Sequence, residues 1–438
     1  MGILARPNKY ESWGRYPQAV PQHVTSIHWR DEARAILQGP GPFLAYGQGR
    51  SYGDSCLNEG GHLLHTTGMD RISGFDQETG SVECEAGVTL AELLELFVPK
   101  GWFLPVTPGT KFVTVGGAIA NDVHGKNHHA AGTFGCHIEY LELLRSDGNV
   151  HLCSRQQNPE LFSATIGGLG LTGLILKARL QLKRITSAQV MVEALPYRGL
   201  DEFYSLTEKS EAAGYEYTVA WLDCLARTPR GVFLRGRHAD GNSHLLAAPS
   251  KMGISVPIQF PRFTINRYSI QLFNTLYWWK NTRHAEPRLS GFEEFFYPLD
   301  SIGHWNLIYG ERGPLQYQCV VPESGTEAFA EILQEIAKAG EGSFLGVIKK
   351  FGSRQSPGMM SFPRPGLTLA LDFAPGARTF RLFERLDAIV LACKGALNPS
   401  KDARMPSALF RCSFPRHPEF ESFIDPKFSS SFWRRVHA

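Results

Sequence analysis

From Leu174 to Lys183 the chain reads LILKARLQLK, with Leu174, Leu176, Ala178, Leu180 and Leu182 on one parity and the polar residues on the other. Strict alternation predicts a strand with one buried face. SVECEAG (81–87) alternates in the same way. Thr89 then opens a helix through the capping box Thr89-x-x-Glu92, and Pro99 closes it. YLELLRSDGNVHLCS (140–154) predicts a hairpin turning at Asp147-Gly148, and NPELFSATI (158–166) a short helix. In the second half, LQYQCVVP (315–322), SFLGVIKKFG (343–352) and LTLALDF (367–373) read as strands. TEAFAEILQEIAKAG and TFRLFERLDAIVLACKG read as helices ended by Gly340 and Gly395. That order predicts a sheet covered by helices on one face, and the whole chain reads as α+β. Residues 225–290, rich in Pro and aromatics, read as irregular.

Composition narrows the field. A chain of 438 residues exceeds one ordinary core, so two domains are expected. Lys and Arg total 45 against 42 Asp and Glu, which lacks the basic excess of a nucleic-acid binder. The eight cysteines form no C-x-x-C pair, so reduced thiols and a cytoplasmic location are expected. The N-terminal stretch has no signal-peptide core, and no apolar run of membrane-spanning length occurs. RYSIQLFNTLYWWK (267–280) carries no charge between its ends. It reads as a core-packed helix or, alternatively, as a surface resting on a membrane or lipid substrate.

Four segments hold candidate chemistry: GQGRSYGDSCLNEGG (47–61), VTPGTKFVTVGGAIANDVHGKNHHAAGTFG (106–135), GGLGLTG (167–173) and NPSKDAR (398–404). The third contains G-x-G-x-x-G, but a helix precedes it and a strand follows, the reverse of a Rossmann turn. His124 and His128 have metal-ligand spacing, yet the glycines around them and the missing third ligand argue against a metal. A loop wrapped around a ligand fits better, with His124 and Lys126 projecting to one side.

The motifs GQGRSYGD, TPGTKFVTVGGAIANDVHGKNHHAAGTFG and GGLGLTG resemble the FAD-binding domain of the PCMH-type (vanillyl-alcohol-oxidase) flavoprotein superfamily. YPLD, LQYQ, KKFG, SFPRPG and SKDAR extend the resemblance along the chain, towards the oxidases of lipid-linked ribose. It implies an FAD-binding domain over 1–186, a substrate domain over 187–395 and a segment, 396–438, returning to the first. It implies that Gly47, Gln48, Gly49, Arg50, Ser51 and Tyr52 form a backbone nest for the pyrophosphate. Pro108, Gly109, Thr110, Gly116, Gly117, Asn121, His124, Gly125 and Gly173 would line the rest of the cofactor cleft. Members with covalent flavin carry a histidine where this chain has Arg50, so dissociable FAD is expected.

The implied reaction is oxidation of a sugar ring hydroxyl to a ketone by hydride transfer to the flavin. The substrate class is a sugar or phosphoglycosyl lipid, and a short-chain reductase partner would complete an epimerisation, with peripheral membrane contact. Alternatives are an alditol or aldonolactone oxidase of the same superfamily, or a flavin-binding protein without turnover. Lys401 matches the family's lysine motif; an electrostatic role is favoured for it, and the base remains open among Lys401, His124 and Tyr52. On pattern alone, Gln316 and Gln318 share one strand face, as do Val347, Lys349 and Phe351, which suits a hydroxyl-rich, phosphorylated ligand. The resemblance carries Trp221, Tyr297, Gln318, Lys349 and Phe351 onto substrate-pocket positions, and Lys126, on the same side of its loop as His124, is expected to face the substrate. It departs at Ala370, where mycobacterial members have cysteine, at Thr368, and at Asn398, where an aromatic residue is expected.

Overall fold

The computed structural model describes residues 10–226, 228–241, 256, 265–282 and 286–438. Near the N-terminus, β1 (His23–Ser26), β2 (Phe43–Tyr46) and β3 (His62–His65) form a parallel sheet in the order β1-β3-β2. Next come β4 (Ile72–Phe75), β5 (Ser81–Glu85), β6 (Trp102–Phe103), β7 (Ile138–Leu144), β8 (Val150–Ser154), β9 (Leu174–Gln181) and β10 (Lys183–Arg184). Five of these make an antiparallel sheet, β4-β5-β9-β7-β8, while β6 and β10 pair by themselves. The expected hairpin is β7/β8, with Gly148 in the left-handed region at its turn (φ 84°). Helix α1 (Leu90–Phe97) carries the predicted capping box on Thr89 and buries Leu90, Leu93, Leu94 and Phe97. Helix α2 (Val115–Ala120) is capped by Thr114, whose hydroxyl accepts from the Gly117 N–H.

Sheet membership changes between Arg184 and Gln189. Strands β11 (Gln189–Arg198), β12 (Tyr217–Asp223), β13 (Arg230–His238), β14 (Arg288–Gly291), β15 (Leu315–Val321), β16 (Val347–Phe351), β17 (Gly366–Phe373) and β18 (Ala396–Leu397) build one eight-stranded sheet. Its order is β14-β11-β13-β12-β16-β17-β15-β18. Helices α3 (Arg267–Asn281), α4 (Thr326–Ala339) and α5 (Ala377–Ala392) belong to this half. The region read as irregular thus holds β13, α3 and β14; the rest of 242–264 apart from 256, and 283–285, lie outside the described residues. Propensity missed these elements because tertiary packing sets them: β13 is sandwiched between β11 and β12.

Period-two sorting of side chains gives the sheet two different faces. Leu315, Tyr317, Cys319 and Val321 of β15 lie with Leu367, Leu369, Leu371 and Phe373 of β17 in one core. The same core takes Phe329, Ile332, Leu333 and Ile336 from α4 and Leu382, Phe383, Leu386 and Val390 from α5. The opposite parity, Gln316 and Gln318 with Thr368, Ala370 and Asp372, is left for the other face. Helix α4 ends at Gly340 in the left-handed region (φ 67°), as expected. In α5 the left-handed residue is Lys394 (φ 55°), not Gly395. Gly395 instead allows a close approach, since a Cβ there would lie 2.6 Å from the Val320 carbonyl oxygen.

Candidate active site

The glycine loop follows β2 directly. Gly49 is left-handed (φ 59°), and the N–H groups of Gln48, Gly49, Arg50 and Ser51 meet no acceptor among the described residues. Gly47 lies against the cap of α2, where a Cβ would come 2.6 Å from Thr114 Oγ1. Gly109 faces open space, with nothing within 4 Å of where a Cβ would stand. Two buried polar atoms on this wall lack partners, Arg50 Nε and Asn121 Oδ1. Arg50 rests its guanidinium on the Trp13 ring (4.6 Å). Unspent backbone donors beside a cationic side chain fit the diphosphate of a dinucleotide. Gly116 touches Ala86, and Gly125 lies against the Thr107 backbone, so both let the loops pack closely. Pro108 and Thr110 flank Gly109 in the neighbouring loop, where Lys111 N–H donates to Asp300 at 2.9 Å.

A second set of contacts fastens this loop to the C-terminal segment. A Cβ on Gly53 would lie 1.5 Å from the Asp402 carbonyl oxygen, and Tyr52 N–H donates to the Ser400 carbonyl at 2.8 Å. Buried Asp54 accepts from Arg435 Nε (2.9 Å) and Nη2 (2.8 Å), and Arg435 also reaches Asp402 at 2.8 Å. The clasp sets Lys401 Nζ 4.2 Å from the centre of the Tyr52 ring. Asp54, chemically conspicuous in the sequence, therefore serves this ion-paired clasp.

The sheet supplies the facing wall. Across β15 and β17, Gln316 stands opposite Asp372 and Gln318 opposite Ala370, while Lys349 of β16 stands opposite Thr368. Gln318 Nε2 donates to His124 Nε2 (3.1 Å) and to Thr368 Oγ1 (3.3 Å), and its Oε1 accepts from Asn398 Nδ2 (2.9 Å). Asn398 Oδ1 in turn accepts from the Ser400 N–H and hydroxyl. This orientation makes His124 Nε2 an acceptor and puts its proton on Nδ1. The His124 ring also meets Phe351 edge-on at 4.9 Å. Gln316 Nε2 donates to Asp372 at 2.7 Å.

Burial dominates the electrostatics. It pushes the Lys401 ammonium down to about 8 against the pull of Asp372, and Lys349 to about 8 with help from Lys401. It raises Asp372 to about 7 and holds His124 well below the ordinary imidazole range. The buried Tyr52 phenol is driven well above its usual value. Lys401 faces Asp372, whose own charge burial disfavours, and Lys349 adds a second cation close to Lys401, so the site favours an anionic ligand.

Other candidates sit differently. Lys126 Nζ donates to the Phe295 carbonyl and lies 4.4 Å from that ring's centre, so its ammonium is held within the fold; burial lowers it to about 7. Tyr297 is buried and shares a hydrogen bond of 2.6 Å with Thr107. Trp221 donates Nε1 to the Phe344 carbonyl and packs on Tyr277 of α3 at 4.6 Å. Gly173 (φ 140°) lies against β7, where a Cβ would come 2.7 Å from the Leu144 carbonyl. No cluster of His, Cys, Asp or Glu among the described residues is arranged to hold a metal. Asp372 was missed by sequence reasoning, although its parity with Thr368 and Ala370 in LTLALDF was a usable signal.

The arrangement has counterparts. Residues 28–154 match the FAD binding domain family. The chain is 36% identical to decaprenylphosphoryl-beta-D-ribose oxidase of Mycolicibacterium smegmatis, over 97% of this chain and 96% of that protein. L-gulonolactone oxidase of Bos taurus is 30% identical over 40% of each chain, and cytokinin dehydrogenase 2 of Arabidopsis thaliana 31% identical over 32% of this one and 27% of that protein. A cradle of unspent backbone donors, a matched nucleotide domain and end-to-end similarity to an oxidase lead to one assignment: this chain is an FAD-dependent oxidoreductase of the PCMH-type family that includes decaprenylphosphoryl-β-D-ribose oxidase.

Proposed function

We propose that the protein oxidises a ring hydroxyl of a phosphoglycosyl lipid to a ketone, with residues 1–186 binding FAD, 187–395 shaping the substrate pocket and 396–438 returning Lys401 to the flavin. The observation that carries this reading is the convergence of Lys401, Tyr52, Lys349 and the Gln318–His124 pair between the glycine loop and the eight-stranded sheet. Bound FAD would supply the hydride acceptor for oxidation at the carbinol carbon. The nest Gly47–Tyr52, with Gly109, Gly117 and Asn121, would hold it. Arg50 cannot form the histidyl link of covalent members, so the cofactor is held without a covalent bond.

The chain's own residues then divide the work. Lys349 offers charge to the substrate's phosphate, and Gln318 is fixed by His124, Thr368 and Asn398 to meet a sugar hydroxyl. Among the three candidate bases, the geometry favours Lys401. His124 Nε2 already accepts from Gln318, and the Tyr52 phenol holds its proton to high pH. Lys401, with its proton leaving near pH 8, can take the hydroxyl proton as the hydride departs. Of the two roles the sequence leaves open for Lys401, charge stabilisation and base, this reading takes the base. A short-chain reductase would then return the ketone to the epimeric alcohol.

The test is anaerobic mixing of holoprotein with a polyprenyl-phosphoribose in detergent, following loss of flavin absorbance. Bleaching by that lipid, and not by free alditols or aldonolactones, is expected. Bleaching by the free sugars alone would assign the alternative oxidase class, and none across a broad panel would leave a flavin carrier without turnover.

A further inference from the structure

The stretch RYSIQLFNTLYWWK forms α3, but not as a core helix. Only Ile270 and Asn274 are buried, with Tyr277 and Trp278 half-buried on the same side. On the opposite side Tyr268 (81% exposed), Leu272 (63%), Leu276 (55%) and Trp279 (50%) fall at helical spacing along one stripe. Among the described residues this is the densest run of exposed large apolar side chains. Burial elsewhere does not explain it, because Leu272 and Leu276 contribute no core contact.

Charge around the stripe is mostly basic. Helix α3 contains no Asp or Glu, and it begins at Arg267 and carries Lys280 in its last turn. Beside it runs an open cleft of about 460 Å³, lined by Arg198, Asp223, Arg230, Gln271 and Thr275 among others. Arg198 and Arg230 both lie over the Trp278 ring, at 4.9 and 5.0 Å. Arg230 is paired to Asp223, but among the described residues no carboxylate pairs with Arg198, Arg267, Lys280 or Arg288, and Arg288 acts on Tyr277. Exposed Glu286, and Glu202, which accepts from the Arg198 N–H, are the acidic residues nearby. The inner side of the helix touches Trp221 through Tyr277 and Phe344 through Phe273, so one helix joins the pocket wall to this outer stripe.

Resting on the lipid-substrate reading above, we infer that the outer stripe of α3 is a docking face for an anionic bilayer surface, with Tyr268, Leu272 and Leu276 entering the headgroup boundary and Arg198, Lys280 and Arg288 meeting lipid phosphates. Aromatic and aliphatic side chains rimmed by unpaired cations have that chemistry. A lipid-linked sugar would then reach the pocket along α3 without leaving the membrane surface.

Flotation of the holoprotein with phosphatidylcholine vesicles, with and without phosphatidylglycerol, tests the face. Binding is expected with phosphatidylglycerol and should weaken as salt rises. L272D/L276D should lower the bound fraction about tenfold or more, while R198Q/R288Q should lower it about tenfold only where phosphatidylglycerol is present. Flavin content and melting temperature report that each variant is folded. Absence of wild-type binding, or equal binding by L272D/L276D, overturns the inference. So does a wild-type dimer that L272D/L276D converts to monomer with vesicle binding unchanged, which would give the stripe to a second copy. Flavin bleaching by the detergent-solubilised lipid should survive L272D/L276D. Vesicle binding without bleaching would refute the substrate reading and leave the face standing; bleaching without vesicle binding would do the reverse.

Discussion

The nucleotide lobe and the eight-stranded sheet build their halves of the site by opposite means. The lobe works with backbone: glycines remove side chains so that N–H groups and neighbouring loops come close, as at Gly47, Gly49 and Gly53. The sheet works with side chains: parity sends Gln316, Gln318, Thr368, Asp372 and Lys349 to one face and the apolar residues to the other. A backbone site needs contiguity and is written in one run of sequence. A side-chain site is assembled from strands far apart in the chain, and only the register decides which residues meet.

If that contrast is right, removing one side chain at the junction should hurt chemistry more than fold. Lys401→Ala should keep its flavin yet lose about 100- to 10,000-fold in the rate of substrate-driven flavin reduction, measured by stopped-flow; an unchanged rate would remove Lys401 from proton transfer. On the lobe side, an added methyl should hurt fold more than chemistry. Gly53→Ala, driven into the Asp402 carbonyl, should cost about 3 kcal/mol in unfolding free energy, whereas Gly109→Ala, in open space, should leave stability within about 0.5 kcal/mol and weaken only FAD retention.

The clasp between the two regions offers a third break. Arg435→Gln leaves Asp54 and Asp402 without their shared cation, and a loss of about 2–4 kcal/mol in denaturant unfolding is expected, below the full buried-pair figure because Arg435 is partly exposed. The smallest effect sharpens the electrostatics. Burial disfavours the Lys401 ammonium, so its proton leaves at lower pH than in water and the free amine grows as pH rises through about 8. Flavin reduction should therefore climb about tenfold from one pH unit below that point to one above it. A fall over the same range would restore the charged, electrostatic role. Acid precipitation should release the yellow colour into the supernatant, since Arg50 gives no covalent link.

Much of this was legible beforehand, for identifiable reasons. The capping box at Thr89, the Asp147-Gly148 hairpin and the strand LILKARLQLK depend on neighbours in sequence, and each forms as its local pattern dictates. The failed Rossmann context of GGLGLTG was equally local: a helix precedes it and β9 follows. For Lys126, two-residue spacing says which side a residue takes in an extended loop, not what waits there; its ammonium meets the Phe295 carbonyl. The aromatic stretch of α3 allows two readings in sequence because apolar composition does not reveal which face finds a partner; the exposed stripe rules out the core-packed one.

By itself the sequence determined the glycine cradle, the pairing of short elements and the period that sorts each strand, because these arise from local conformational preference and steric exclusion. Tertiary structure alone decided that Gln318 meets His124, that Asp54 meets Arg435 and that Lys401 faces Tyr52. Those contacts span 194 and 381 residues for the first two, and no local pattern carries information across such distances. Only packing the sheet against the lobe, with every buried polar group seeking a partner, brings them together.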